Sequence, residues 1–230
     1  MVDRDDAAAI DHVHSLHREL GLDADRLGPE EARELEPALA PSIHGALHCR
    51  SDHQVDPRKL TAALGEAVRR DGGQLREGVE IERIEIDGGR VHGVVKEDGD
   101  RVACEHVLVA AGAWSNQIAG IPDGVAPHIR PLRGQMLALD LGTPPICTRP
   151  IRAPDPSQQD VYLAPKSDGR LLIGATSEER GFDPHLTAGG VFELLRGAYE
   201  AVPGIYDRDL LATWTGFRPV TLDNEPVLGP

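Results

Sequence analysis

Aromatic residues are scarce: two tryptophans, three tyrosines and three phenylalanines make up 3% of 230 residues. Hydrophobic residues still reach 40%, so a core must rely on Ala, Val, Leu and Ile. Cysteine is scarcer. Cys49, Cys104 and Cys147 are odd in number, far apart, and form no C-x-x-C pair. That argues against a disulfide framework or a cysteine zinc site, and fits a reducing cytoplasm. No stretch approaches the roughly 18 apolar residues of a membrane-spanning helix. Met1 to Asp6 is acidic and has no apolar centre, so it does not read as a signal peptide. Net positive charge is also lacking. At -14 the chain is poorly suited to nucleic acid or an anionic membrane as its main partner. There is no G-x-S-x-G elbow to support a hydrolase triad. Nor is there a G-x-G-x-x-G loop to hold a dinucleotide pyrophosphate.

What is present alternates between helical and strand patterns. Ile10, Val13, Leu16 and Leu20 recur at helical spacing over residues 5–20. Pro29 to Leu35 opens with proline and acids, as a helix start should, and Pro37 stops it. Residues 41–55 read as irregular or extended. Asp56-Pro57 opens a helix to about Arg70, which Asp71-Gly72-Gly73 ends. Val79 to Ile86 alternates as a strand with one buried face. Asp87-Gly88-Gly89 turns it into Val91 to Lys96, and Arg101 to Cys104 follows as a third strand. Val107 to Val109 reads as a fully apolar strand. Beyond Pro122, strands are expected at His128 to Leu139, Val161 to Ala164, Leu171 to Gly174 and Leu210 to Phe217. A helix is expected at Thr187 to Ala201, and surface loops at Pro144-Pro145 and Pro154-Asp155-Pro156. This is an α/β order of elements with a strand-rich second part.

The most informative stretch is Val107-Leu108-Val109-Ala110-Ala111-Gly112-Ala113-Trp114-Ser115. An apolar run ends in small residues and enters a short helix. Small residues there let a backbone or a ligand approach closely, and in open α/β sheets ligands collect at such strand ends. Arg218, in Trp214-Thr215-Gly216-Phe217-Arg218-Pro219, ends an apolar strand. Its planar fork suits either a carboxylate ligand or a structural ion pair. Tyr162 on its short strand is either a polar handle into a cavity or a core residue. Arg133, before Gly134, is a weaker candidate. His44, His48, Cys49, Asp52 and His53 form the best metal-like cluster, but Gly45 and the nearby Pro and Ser oppose the helix their spacing needs. His12, His14 and His17 read as a solvated helix face.

These segments together resemble the flavin-dependent D-amino-acid oxidase family, and within it the glycine oxidase group of thiamine biosynthesis. Asp52-His53-Gln54-Val55-Asp56-Pro57 is similar to the family's entry to a helix, and Val107 to Ser115 to its small-residue turn. Arg133-Gly134-Gln135-Met136 is similar to its "R-G-q". Tyr162-Leu163-Ala164-Pro165, with Gly169 to Glu178, resembles the glycine oxidase pattern. Trp214 to Pro219, with Asp223, Pro226 and Gly229, resembles the family's late arginine motif. Five motifs in order carry the resemblance.

The resemblance implies an α/β fold with mixed sheets, in which an incomplete Rossmann-like FAD-binding domain is interleaved with a strand-rich substrate domain. On it, residues 1–51 and 123–218 belong to the substrate domain, 52–122 to the FAD domain, and 219–230 begin the return to the FAD domain. It implies FAD as cofactor, a small amino acid as substrate, and no metal. Arg218 and Tyr162 stand at the carboxylate-binding positions. Val79 stands near the adenine end of FAD, and Ala110, Ala111 and Gly112 in the turn lining the cofactor. The chain looks like an internal fragment, cut before the closing glycine-rich segment and lacking the opening glycine loop. Rival readings are a sarcosine oxidase or D-amino-acid dehydrogenase, a non-catalytic carboxylate-binding remnant, and distantly a metal-dependent hydrolase at His44, His48 and His53. The oligomeric state is open, a homo-oligomer included.

Overall fold

A computed structural model describes residues 4–122, 124–126, 128–153 and 160–229. The expected loop at Pro154-Asp155-Pro156 lies outside them. In chain order the elements are α1 (Arg4–Glu19), β1 (Ala24–Leu27), α2 (Pro29–Leu35), β2 (Ala46–Cys49), α3 (Pro57–Arg70), β3 (Ile81–Asp87), β4 (Arg90–Lys96) and β5 (Arg101–Ala103). They continue with β6 (Arg130–Asp140), β7 (Ile151–Ala153), β8 (Val161–Pro165), β9 (Arg170–Gly174), α4 (Ala188–Ala201) and β10 (Leu210–Val220). Short 3-10 turns lie at Gly112–Gln117 and Pro203–Asp207.

The chain divides into two compact units. The first is Met1–Asp56, Gly134–Ser177 and Pro184–Gly216; the second is Pro57–Arg133, Glu178–Asp183 and Phe217–Pro230. In the first unit a five-stranded sheet runs in the order β10-β6-β9-β8-β7. Its register sets Leu137 beside Ile173, Ile173 beside Leu163, and Leu163 beside Ile151. One apolar row therefore crosses four strands on one face. Leu194, Ala198 and Ala201 of α4 belong to the same buried cluster.

The start of α4 is tied to the sheet through hydrogen bonds. Thr187 caps it, its hydroxyl accepting from the Gly190 amide at 3.1 Å. Buried Gln135 of β6 donates to that hydroxyl at 3.0 Å and accepts from the Thr187 amide at 2.9 Å. The Gln135 amide donates to the Thr176 hydroxyl at 2.8 Å. A buried amide side chain is thereby satisfied, and α4 gains a fixed origin. Glu36, at the end of α2, is buried too. Its Oε2 accepts from the Thr148 amide and hydroxyl at 2.8 and 3.0 Å, and from the Arg149 amide at 3.1 Å. A small two-stranded sheet, β1 with β2, completes the unit.

The second unit holds α3 and the antiparallel meander β3-β4-β5. β3 also bridges in parallel to Ala119, with the Ile84 amide on the Ala119 carbonyl and the Ala119 amide on Glu82, each at 2.9 Å. Arg101 pairs with Glu85 across the meander and holds that carboxyl below its usual range.

Several expectations need correction. Val107 to Val109 forms no strand among the described residues, and Leu108 is 89% exposed. No ladder there takes up its backbone groups, so apolar character alone does not make it a strand. Val13 and Leu16 of α1 and Leu20 just after it are exposed, and α3 buries none of its residues. Residues 41–55 contain β2, too short for alternation to reveal. β7 was equally unreadable at three residues. In β3 only Ile84 is buried, and Ile86 is exposed. β10 runs to Val220, so Arg218 lies inside the strand, not after it.

Cys147 is fully enclosed beside Glu36, and burial first, then that carboxylate, pushes its thiol up to about 12. In the unfolded chain it ionises near its ordinary 9.0, so there the unfolded state holds fewer protons and stability falls as pH climbs toward about 12. Chemical denaturation across that window should show a shallower decline for Cys147→Ala than for the native chain. Equal slopes would contradict it.

Candidate functional site

The face of the sheet opposite the apolar row carries Tyr162. Met136 of β6, Gly174 of β9 and Tyr162 of β8 are cross-strand neighbours. The half-buried Tyr162 donates its hydroxyl to Met136 Sδ at 3.6 Å, passing over Gly174. A Cβ on Gly174 would stand 2.8 Å from that hydroxyl. A side chain at this position would have to displace the phenol, which the glycine lets lie close over the strand.

The small-residue turn has a different geometry. Ala110 is exposed, and Ala111 and Gly112 are half-buried. Gly112 has φ +57°, and nothing lies within 4 Å of where its Cβ would be. The left-handed backbone needs glycine, and the space above it is open. The Trp114 amide donates to the Ala111 carbonyl at 3.1 Å, and the Ser115 hydroxyl to the Gly112 carbonyl at 2.8 Å. These bonds launch the 3-10 turn and leave the Ala110–Gly112 face clear. Val79 sits just before β3 with its side chain exposed.

Arg218 is exposed on β10, where strand alternation turns it to the face opposite Phe217. Tyr162 is counted in the first unit; Arg218, Val79 and the Ala110–Gly112 turn in the second.

Arg133 proves to be fully buried, pairing through Nη2 with Glu178 and through Nη1 with Asp183 at 3.0 Å. Its amide and carbonyl bond Glu178's carbonyl and amide at 3.0 and 2.9 Å. Phe182, between those two acids, meets Trp114 and Phe217 at centroid distances of 5.4 Å each. The resemblance gave none of these a role in the site; Arg133 was a weak candidate from its own neighbourhood alone. The available signal was the recurrence of Arg133-Gly134-Gln135 with Thr176-Ser177-Glu178.

The metal-like cluster does not assemble. His48 and Cys49 are consecutive on β2 and point apart: His48 lies 4.0 Å from Asp25, and Cys49 Sγ 3.7 Å from His17 Nδ1. His44, Asp52 and His53 are exposed. Among the described residues no group of three or more His, Cys, Asp or Glu could hold a metal. Half-buried His14 and His17 depart from the expected solvated face, and only His12 of the three is exposed. Burial first and Asp52 second push the Cys49 thiol up, which opposes a nucleophilic role. No described helix is long and apolar enough to cross a membrane.

The family described as FAD dependent oxidoreductase (DAO) matches residues 1–230. A hydrogen cyanide synthase subunit, HcnC, of Pseudomonas aeruginosa is 32% identical over 99% of this chain and 53% of its own length. A glycine oxidase of Geobacillus kaustophilus is 35% identical over 94% of this chain and 55% of its own length. The crystal structure of a glycine oxidase from Bacillus cereus superposes with a TM-score of 0.89 at 28% identity, covering 100% of this chain and 61% of that one. The chain thus spans about half the length of the relatives it matches.

Gly112→Ala meets no atom, so its cost is backbone strain alone, about 1–2 kcal/mol. Urea unfolding should show this loss, and an unchanged midpoint would contradict the left-handed turn.

Proposed function

We propose, since the chain belongs to the FAD dependent oxidoreductase family, that it carries the substrate half and part of the cofactor wall of an amino-acid oxidase of glycine oxidase type. The observation that carries this reading is Arg218. A permanently charged planar fork on an exposed strand face, at the family's arginine motif, can hold a carboxylate by two parallel bonds. By motif position Tyr162 is a second group for the carboxylate, with a hydroxyl able to donate or accept. The likeness to glycine oxidases supports a small amino acid such as glycine as substrate. We assign 52–122 and 219–230 to the FAD side and 1–51 and 123–218 to the substrate side. The free cysteines Cys49, Cys104 and Cys147 agree with a reducing cytoplasm.

The residues present fit FAD as a wall. Val79 is exposed, Ala110 and Ala111 offer backbone with little side chain, and the space over Gly112 is open. FAD, when bound, would supply the redox chemistry for oxidising the amine to an imine at the expense of oxygen, with peroxide as the expected product. The protein's part is to bind and orient: Arg218 would hold the carboxylate of the amino acid and so fix its position. No side-chain base is required if the amine enters neutral, in keeping with the lack of a paired His and carboxylate in these motifs.

Peroxide formation and oxygen uptake with glycine, sarcosine and D-alanine test the reaction in a protein that carries these residues together with a complete FAD site. Dye reduction without oxygen use would make it a dehydrogenase. The likeness to a hydrogen cyanide synthase subunit favours a second reading, cyanide formation, which assaying cyanide beside peroxide separates. Glycolate binding that ignores FAD, with no turnover, would mark a carboxylate-binding remnant.

Arg218→Ala should weaken glycolate binding to the FAD-saturated protein by about 2–3 kcal/mol, roughly 30- to 150-fold by calorimetry. Unchanged affinity would remove Arg218 from the site. Residues 1–230 hold no glycine-rich loop whose amides could meet the pyrophosphate, so these residues alone should bind FAD weakly and turn over no amine. Purification of them with stoichiometric yellow flavin would overturn that expectation.

A further inference from the structure

Three of the chain's eight aromatic residues meet in one cluster. Trp114, Phe182 and Phe217 each touch the other two. The centroids lie 5.4 Å apart for Trp114–Phe182, 5.9 Å for Trp114–Phe217 and 5.4 Å for Phe182–Phe217. The two contacts of Phe217 are edge-to-face, with interplanar angles of 90° and 63°. That arrangement is directional, and it forms although Trp114 is 46% and Phe182 36% exposed. All three rings belong to the second unit.

Each ring arrives by a different route. Trp114 stands two residues after Gly112, in the turn that follows Ala110 and Ala111. Phe217 precedes Arg218 on β10, with its ring on the opposite face of the strand. Phe182 sits in the strap Glu178–Asp183, whose two ends are both held by the Arg133 guanidinium. The same strap is fixed again at Glu179. Arg130 donates to its carboxylate at 3.0 Å and to the Thr221 carbonyl at 3.0 Å, three residues past Arg218. Arg218 is therefore bracketed: an aromatic contact behind Phe217 on one side, an arginine on the backbone at Thr221 on the other. A buried arginine between two acids contributes little net stability, but it specifies one geometry for the segment it holds.

We infer that Phe182, locked by Arg133, is a positioning residue. It sets the place of Arg218 through Phe217, and couples that place to the Ala110–Gly112 turn through Trp114. This rests on the reading of Arg218 as the carboxylate anchor. Phe182 touches no substrate; it fixes the height of the strand from which the guanidinium projects. The bracket gives a chain poor in aromatics a rigid link between its carboxylate group and its cofactor-facing turn. It also gives the buried Arg133 a role beyond holding a loop.

The test is calorimetry with glycolate on the FAD-saturated protein, together with Trp114 emission in a Trp214→Phe background. Phe182→Leu keeps apolar volume but removes the ring, and should weaken glycolate about tenfold, the scale of one or two lost ring contacts. Phe182→Tyr should return to within about twofold. Arg133→Lys keeps the charge but loses the fork, and should weaken binding in the same direction while Arg218 is untouched. In the Trp214→Phe background, glycolate should shift Trp114 emission when Phe182 is kept and not when Phe182→Leu is added. If native protein binds no glycolate, the Arg218 reading itself fails. If native protein binds and the folded Phe182→Leu and Arg133→Lys variants bind equally well, the positioning role is overturned. A melting temperature lowered without a change in affinity would likewise reduce the cluster to a structural one.

Discussion

The alternation of a single strand, β6, governs much of this chain. Side chains two residues apart share a face, so Arg133, Gln135, Leu137 and Leu139 all point the same way. Leu137 and Leu139 enter the apolar core of the first unit. Gln135, next along, meets Thr187 and fixes the start of α4. Arg133, one step further, is counted in the second unit and clamps the strap Glu178–Asp183. Apolar, neutral polar and ionic groups thus succeed one another on one buried row. The other face of the strand carries Met136, which receives the Tyr162 hydroxyl. A shift of one residue in register would exchange these faces and send the arginine, the amide and two leucines to the wrong side.

Burying polar groups here depends on complete pairing. Glu36 collects three hydrogen bonds on one oxygen, and Gln135 uses both ends of its amide. Such groups add little net stability when satisfied and cost much when broken, so they act as specifiers of geometry. The exposed groups are of another kind. Arg218 projects from a strand, and the Ala110–Gly112 turn presents small residues to open space. A reaction whose redox step belongs to a cofactor asks the protein mainly for such placed contacts, and the exposed groups have that character.

Legibility followed the length and locality of each signal. α2, α3 and α4 were readable from proline starts, caps and apolar spacing, and the β3–β4 hairpin from Asp87-Gly88-Gly89. β8 and β9 were readable as compact apolar runs. β1, β2 and β7 were not, because strands of three or four residues owe their existence to a neighbour. Val107 to Val109 misled for the same reason: its composition suits a strand, but no ladder engages it among the described residues. Arg218, Tyr162 and the Gly112 turn were singled out from residue type and motif order. Phe182 was not, since nothing local marks one phenylalanine in a loop as a bracket.

The sequence by itself determined the family and the helices whose caps and stops are local. It also contained the reason for Gly112, because a left-handed turn needs glycine whatever surrounds it. Only the tertiary structure decided that Gly174 makes room for the Tyr162 phenol, that Arg133 is buried between two acids, and that His48 and Cys49 point apart. It also decided that Trp114, Phe182 and Phe217 meet. The physical reason is range. Backbone preference and capping act within a few residues, whereas strand register, buried ion pairs and ring contacts join positions as far apart as Tyr162 and Gly174, Arg133 and Glu178, or Trp114 and Phe217, and no local pattern records which of them will touch.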